Sequence, residues 1–198
     1  MALQQRMDIL LAHGYFLYDD PHERAIMRPY PPLGILYLSS YLKAQGFDVG
    51  VYDSTFDSLD GFRARIIADR PSLVGIYTNM MTKQSVLAMA RLCREQGARV
   101  ILGGPEPPYY AREYLEAGAD IIVKGEGEVT LAELIPHLAR RGMAGLDAVA
   151  GIAFLNDDGQ LVETPARPFI ADLSANPWPD REAIDIPAYM LSLIHISE

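Results

Sequence analysis

Two places in this chain put glycines where backbone could meet a ligand. Val100-Ile101-Leu102 breaks into Gly103-Gly104-Pro105-Glu106, and Asp120-Ile121-Ile122-Val123-Lys124 breaks into Gly125-Glu126-Gly127-Glu128. A short β-branched run ending in glycine is the pattern of a buried strand whose carboxyl end admits close approach. A third run, Leu73-Val74-Gly75-Ile76-Tyr77, ends in Thr78-Asn79-Met80-Met81-Thr82. These loops offer bare backbone at Gly103 and Gly104, side chains able to bond amides at Thr78 and Asn79, and apolar surface at Met80, Met81, Tyr30 and Tyr109. The chemistry that fits is the seating of a large, flat, mostly apolar ligand rimmed by amides. Singly, each residue fits packing or turn chemistry as well; their coincidence at neighbouring strand ends is the signal.

Strands must hold those loops at one level. Residues 8–12 (DILLA), 48–52 (DVGVY), 73–77, 99–102 and 120–124 have strand patterns, and helical patterns occupy residues 33–45, 62–69, 83–96, 109–116 and 130–141. Five strands alternating with five helices predict an α/β fold with a five-stranded parallel sheet covered on both faces. Right-handed crossovers leave few topologies, and the flavodoxin-like (Rossmann-like) order 2-1-3-4-5 is the expectation. Its switch point falls between strands one and three. A ligand there touches the loops at residues 13–34, 78–82 and 103–106. The first of these is long, carries Tyr15, Phe16, Tyr18 and Tyr30, and ends in Pro31-Pro32-Leu33-Gly34; loops of that length in a compact domain are usually functional.

After Gly145 the pattern changes. Residues 151–155 and 160–164 flank Asn156-Asp157-Asp158-Gly159, a β-hairpin signal. A proline-rich stretch with Pro165, Pro168, Pro177, Pro179 and Pro187 follows and suggests an extended connection. The expected organisation is an α/β domain over residues 1–145, a hairpin appendage over 146–170, a linker over 171–190, and a non-native tail over 191–198, where LSLIHISE resembles translated sequencing-adaptor read-through.

Bulk properties exclude several classes. Net charge is −9 and no Lys/Arg run interrupts it, which argues against nucleic acid or an anionic membrane surface as partner. Cys93 is the single cysteine, so no internal disulfide forms and no cysteine cluster holds a metal. No apolar stretch approaches the roughly 20 residues of a membrane helix, and the opening Met1-Ala2-Leu3-Gln4-Gln5-Arg6 lacks the apolar core of a signal peptide. A cytoplasmic location is the expectation. A phosphoacceptor receiver needs acids after strand one and an Asp ending strand three, where this chain has Ala12-His13 and Tyr77-Thr78. A flavin mononucleotide site needs a compact phosphate loop after strand one. Gly125-Glu126-Gly127-Glu128-Val129-Thr130 imitates G-x-G-x-x-G but follows the wrong strand and sets two carboxylates where a pyrophosphate would go. Glu128 suits the start of a helix, where the dipole favours negative charge; Glu126 stays open as a polar contact.

The runs YPPLGILYLSSYLKAQGFDVGVYD, VGIYTNMMTK, VILGGPEPPYY, GADIIVKGEGEVTLAEL and NPWPDREAID together resemble the N-terminal half of cobalamin-dependent radical S-adenosylmethionine proteins. That group includes anaerobic magnesium-protoporphyrin monomethyl ester cyclase-like enzymes and many methyltransferases. The resemblance covers residues 7–190. It implies a cobalamin-binding domain, then a linker, then a radical domain with S-adenosylmethionine and a 4Fe-4S cluster. By position it implies cofactor contacts from Tyr30, Pro32, Leu33 and Gly34, from Thr78, Asn79, Met80 and Met81, from Gly103, Gly104, Pro105 and Glu106, and from Gly125 and Glu126, with the nucleotide tail between strands one and three and the corrin over the strand ends. His13, directly after strand one, is placed to touch the cofactor.

Two departures accompany the resemblance. Many cobalamin proteins carry a cobalt-ligating histidine in a D-x-H-x-x-G motif. Here Asp20-Pro21-His22-Glu23-Arg24-Ala25 ends in alanine, which favours an exposed loop histidine at His22 over a metal ligand, so no metal ligand is assigned. The cysteine motif for the iron–sulfur cluster is also missing. With Cys93 alone the chain binds and presents a cofactor without completing radical chemistry. In the intact protein the resemblance implies methyl transfer or anaerobic cyclisation. A stand-alone cobalamin sensor or carrier, or another flavodoxin-like ligand-binding module, remains the alternative.

Overall fold

The computed structural model of the chain describes residues 7–26 and 28–194. Strands β1 (Ile9–His13), β2 (Val49–Tyr52), β3 (Leu73–Tyr77), β4 (Arg99–Gly103) and β5 (Ile121–Val123) are parallel, in the expected order β2-β1-β3-β4-β5. The register sets His13 beside Tyr77 and Tyr77 beside Gly103. The ends of three strands thus lie level, which lets loops far apart in sequence meet at one rim.

Period-two alternation sorts side chains to the two faces. Leu10, Ala12, Val74, Ile76, Val100 and Leu102 pack under helices α3 (Leu59–Asp69), α4 (Lys83–Glu95) and α5 (Ala111–Glu116). Ile9, Leu11, Ile101, Ile121 and Val123 pack under α2 (Leu33–Ala44) and α6 (Glu128–Arg141). Both faces are buried, which is why these strands are nearly continuous apolar runs.

The hairpin strands β6 (Ile152–Leu155) and β7 (Leu161–Glu163) extend the main sheet antiparallel beyond β5, Ile122 facing Ala153. Ile152 and Ala153 are fully buried, so β6 closes an edge that β5 would otherwise leave unpaired. Three helix starts differ from expectation, α6 by beginning at Glu128 and two others through local chemistry. The Ser58 hydroxyl accepts from Gly61 N–H at 3.1 Å and starts α3 at Leu59; residues 107–110 form a 3-10 turn ahead of α5. The long first loop holds a short helix, α1 (Pro21–Ile26), started by the Asp20 carboxylate, which accepts from His22 N–H at 2.8 Å and Glu23 N–H at 3.2 Å.

The proline-rich stretch is docked along the domain. Glu126 accepts from Ile170 N–H at 2.6 Å. The Asp180 carboxylate accepts from Ser39 Oγ at 2.5 Å and Lys43 Nζ at 2.6 Å on α2. Beyond it α7 (Ile186–Ile194) begins within the linker and reaches into residues expected to be a non-native tail; the rest of that tail, and the leading hexapeptide, lie outside the described residues. Among the described residues no helix is long and apolar enough to cross a membrane.

Candidate functional site

Two connected hollows open at the carboxyl edge of the sheet. The larger, about 640 Å³, lies between the loop after β1 and the ends of β1 and β3. The smaller, about 230 Å³, is a slot between the sheet face (Leu11, Gly75, Ile101, Val123) and the N-terminal turns of α2 and α6. Gly34, Ile35 and Tyr77 line both hollows and join them.

The floor is made of glycine. Methyl groups added at Gly34 or Gly125 would meet no atom within 4 Å, and at Gly103 the nearest would be Val123 Cβ at 3.9 Å. Side chains at these positions would project into the open space that the backbone now leaves. Gly104 has another job. Its φ is +114°, and an added methyl would lie 2.2 Å from the Thr78 carbonyl oxygen. Thr78 N–H donates to the Gly103 carbonyl at 2.8 Å. The two loops are therefore pressed backbone to backbone, and Gly104 lets them close.

The structure brings together most of the residues expected from the sequence. His13, Tyr30, Pro32, Leu33, Gly34, Asn79 and Met81 line the larger hollow, and Gly103, Gly104, Gly125 and Glu126 line the slot. Asn79 is braced by Thr82, whose N–H donates to Asn79 Oδ1 at 3.0 Å. Tyr30 and Met81 are 86% and 83% exposed and form an apolar rim. Thr78, Met80, Pro105 and Glu106 line neither hollow: Thr78 is buried, Met80 and Pro105 face outward, and Glu106 turns behind its loop towards Lys83, 3.5 Å away. Burial first, and the Glu106 carboxylate second, push the Tyr114 hydroxyl up, so that side of the loop is a packed support. His22 is exposed on α1 and lines neither hollow.

His13 is 5% exposed and both ring nitrogens are engaged. Nε2 lies 2.9 Å from Asp53 Oδ1 and 3.2 Å from Ser54 N, and Nδ1 lies 3.3 Å from both Tyr15 N and Ser54 Oγ. Burial works to raise the Asp53 carboxyl, but bonds from His13, from the Tyr189 hydroxyl at 2.6 Å and from Thr55 N–H outweigh it and hold the group below the usual carboxylate range. On the cleft wall, burial and then the Glu23 carboxylate, to which the Tyr15 hydroxyl donates at 3.1 Å, push that hydroxyl up to about 12, so it stays a donor. Among the described residues no group of three His, Cys, Asp or Glu is arranged to hold a metal ion.

Sequence reasoning missed the slot walls Leu11, Leu38, Ile101 and Leu131, and the bracing Asp53 and Tyr189. Apolar wall residues are indistinguishable from core in a sequence. Gly75 was findable, because glycine inside a strand marks a place where something approaches the backbone closely.

The chain matches the B12 binding domain family over residues 26–135. It is 35% identical over 151 residues to the anaerobic magnesium-protoporphyrin IX monomethyl ester cyclase of Synechocystis sp., covering 72% of this chain and 30% of that protein. Among solved structures it resembles the cobalamin-dependent S-adenosylmethionine radical enzyme OxsB with aqua-cobalamin bound, at TM-score 0.78 and 20% identity over 95% of this chain and 26% of that one. It also resembles the radical S-adenosylmethionine methyltransferase TsrM of Kitasatospora setae, with cobalamin and a [4Fe-4S] cluster bound, at TM-score 0.64 and 23% identity over 81% of this chain and 31% of that one. The chain thus spans about a third or less of each of these proteins.

Proposed function

The chain belongs to the B12 binding domain family, and from that premise we propose that its two joined hollows hold cobalamin for a larger radical S-adenosylmethionine enzyme. The observation that carries the reading is the glycine floor: Gly34, Gly103 and Gly125 present bare backbone to open space at the level where three strands end. A broad macrocycle rimmed by amides needs such a surface, because side chains would hold it away from the backbone donors and acceptors.

The division of labour follows from the walls. Leu11, Leu38, Ile101 and Leu131 make the slot apolar, suited to the aromatic nucleotide tail, and Gly75 gives the Leu11 side chain room on the sheet side, where an added methyl would lie 3.0 Å from Leu11 Cδ2. Tyr30, Leu33 and Met81 supply the apolar rim for the corrin, while Asn79 and the Tyr15 hydroxyl are placed for its amides. When bound, the cofactor would supply methyl transfer or a cobalt-centred step of cyclisation. This chain's share is to bind it, orient it and exclude water from the buried side.

The domain organisation belongs to the same reading: residues 1–145 seat the cofactor, residues 146–170 close the sheet edge, and residues 171–190 lead towards a radical domain. Cys93 is fully buried, and burial pushes its thiol up to about 12, so iron–sulfur ligands have to come from elsewhere in the intact protein. Cobalamin and a downstream domain are the partners this implies.

The test is reconstitution with hydroxocobalamin, desalting, and the corrin spectrum of what remains. Wild type is expected to retain the cofactor. Gly34→Leu is expected to keep or slightly raise stability, since glycine in a helix costs about 1 kcal/mol against a good helix former, yet to weaken retention at least about tenfold by filling the junction of the hollows. Loss of all corrin absorption from wild type, or equal retention by Gly34→Leu, would sink the reading.

A further inference from the structure

We propose that Tyr189, in the C-terminal helix, is a positioning residue for the hollow at the sheet edge: through Asp53 it sets His13, and through His13 it sets the start of the loop that walls the larger hollow. The Tyr189 hydroxyl donates to Asp53 Oδ2 at 2.6 Å and lies 2.9 Å from Thr55 Oγ1. The other Asp53 oxygen accepts from His13 Nε2–H at 2.9 Å and from Thr55 N–H at 3.1 Å. His13 Nδ1 accepts from Tyr15 N–H at 3.3 Å, and Ser54 Oγ–H donates to the His13 carbonyl. The path runs from α7 to the end of β1 without a gap, across residues 136 positions apart for Tyr189 and Asp53.

Three features make this more than packing. Tyr189 is 3% exposed although it sits just after a stretch with an 87% exposed Trp178, so its burial is local and specific. Its ring is held edge-on by Phe56, with centroids 4.8 Å apart, which aims the hydroxyl at Asp53. The chain also sets a tautomer. An ionised carboxylate can only accept, so the Asp53 contact puts the His13 proton on Nε2 and leaves Nδ1 to the Tyr15 N–H, with Ser54 N–H 3.2 Å from Nε2 and Ser54 Oγ 3.3 Å from Nδ1 completing the ring's surroundings. Upstream of α7 the same segment is tied through Ile170 N–H to Glu126 at the slot, and through its own Asp180 to Ser39 and Lys43 on α2. The first two tethers land on elements that wall the hollows, α2 and the Glu126 loop, and the Tyr189 tether reaches the larger hollow through Asp53 and His13. A displacement of Tyr189 acts on the loop at residues 14–20 through this path.

The consequence for cofactor retention rests on the function proposed above; the consequence for the loop does not. The experiment uses the full chain, Tyr189→Phe against wild type, with three readouts. Nitrogen-15 spectra of the His13 ring are expected to show the Nε2–H tautomer in wild type and a changed or averaged ring signal in the variant. Amide exchange over residues 14–20 is expected to rise about tenfold, the scale of one lost hydrogen bond to a charged group. Hydroxocobalamin retention is expected to weaken by a similar factor. Unmoved ring signals together with unchanged exchange overturn the proposal. If wild type itself fails to retain hydroxocobalamin, the cofactor reading falls while the ring and exchange data still decide the relay. Should Tyr189→Phe fail to fold, Asp53→Asn decides it instead. An amide that accepts from Tyr189 turns its NH2 on His13, forcing the proton to Nδ1 and releasing the Tyr15 N–H; an unchanged tautomer there overturns the proposal equally.

Discussion

The two ends of the central sheet are built from the same strands and treated oppositely. At the amino end the connections are short. Residues 96–98 join α4 to β4 and residues 117–120 join α5 to β5, and carboxylates stitch the turns: Asp120 accepts from Val100 N–H at 2.7 Å and Asp8 from Asp48 N–H at 2.8 Å. At the carboxyl end the loop from β1 to α2 is long, the floor is bare backbone, and Tyr30 and Met81 stand exposed. Strand pairing is satisfied at both ends, so the difference lies in what the loops were selected to leave open. One end closes the fold, and the other gives up contacts to make room.

The strongest way to break that contrast is at Gly104, where the open end presses two loops backbone to backbone. Gly104→Ala places a methyl against the Thr78 carbonyl at a left-handed φ, and is expected to cost about 3 kcal/mol in urea unfolding and to abolish hydroxocobalamin retention. Gly97→Ala, at the closed end, is expected to cost about 1 kcal/mol. Its φ is +78° and the added methyl would meet nothing within 4 Å, so the cost is conformational alone and retention should match wild type. Equal effects of the two substitutions on retention would erase the distinction between the ends.

The smallest expected effect is in the acid limb of stability. Asp53, at the open end, is held below the usual carboxylate range against its burial. Its contribution is fully present above about pH 4 and is lost as pH falls through the lowered native value. Asp120, at the closed end, is raised, because burial outweighs its bond to Val100 N–H and the fields of Arg94 and Arg99. Protonation therefore relieves it, and it adds stability as pH falls. Asp53→Asn should flatten the acid limb and Asp120→Asn should steepen it, by fractions of a kcal/mol per pH unit, in urea midpoints measured from pH 6 down to about 3.

Much of the closed end was legible in the sequence. Gly97 after a periodic helix, apolar strands of the right length, and right-handed crossovers leave little choice of order, and β2-β1-β3-β4-β5 is what forms. The hairpin was legible as a hairpin from Asn156-Asp157-Asp158-Gly159, but its docking on β5 was not, because an unpaired edge is a property of the sheet and not of either segment. At the open end the glycines were legible as places of close approach. What each admits was not: Gly103 and Gly125 face space, while Gly104 faces another loop.

The proline-rich segment shows the same limit. Composition says that it is extended; that Asp180 reaches Ser39 and Lys43, and Tyr189 reaches Asp53, is written nowhere in local pattern. Periodicity, turn residues and chain handedness are local or nearly so, and they determined the order of the strands and the level of their ends. Contacts between residues 40 or 136 positions apart depend on where packing delivers the two backbones, and the pairing of His13 with Asp53 and of Asp53 with Tyr189 was settled by the tertiary structure alone.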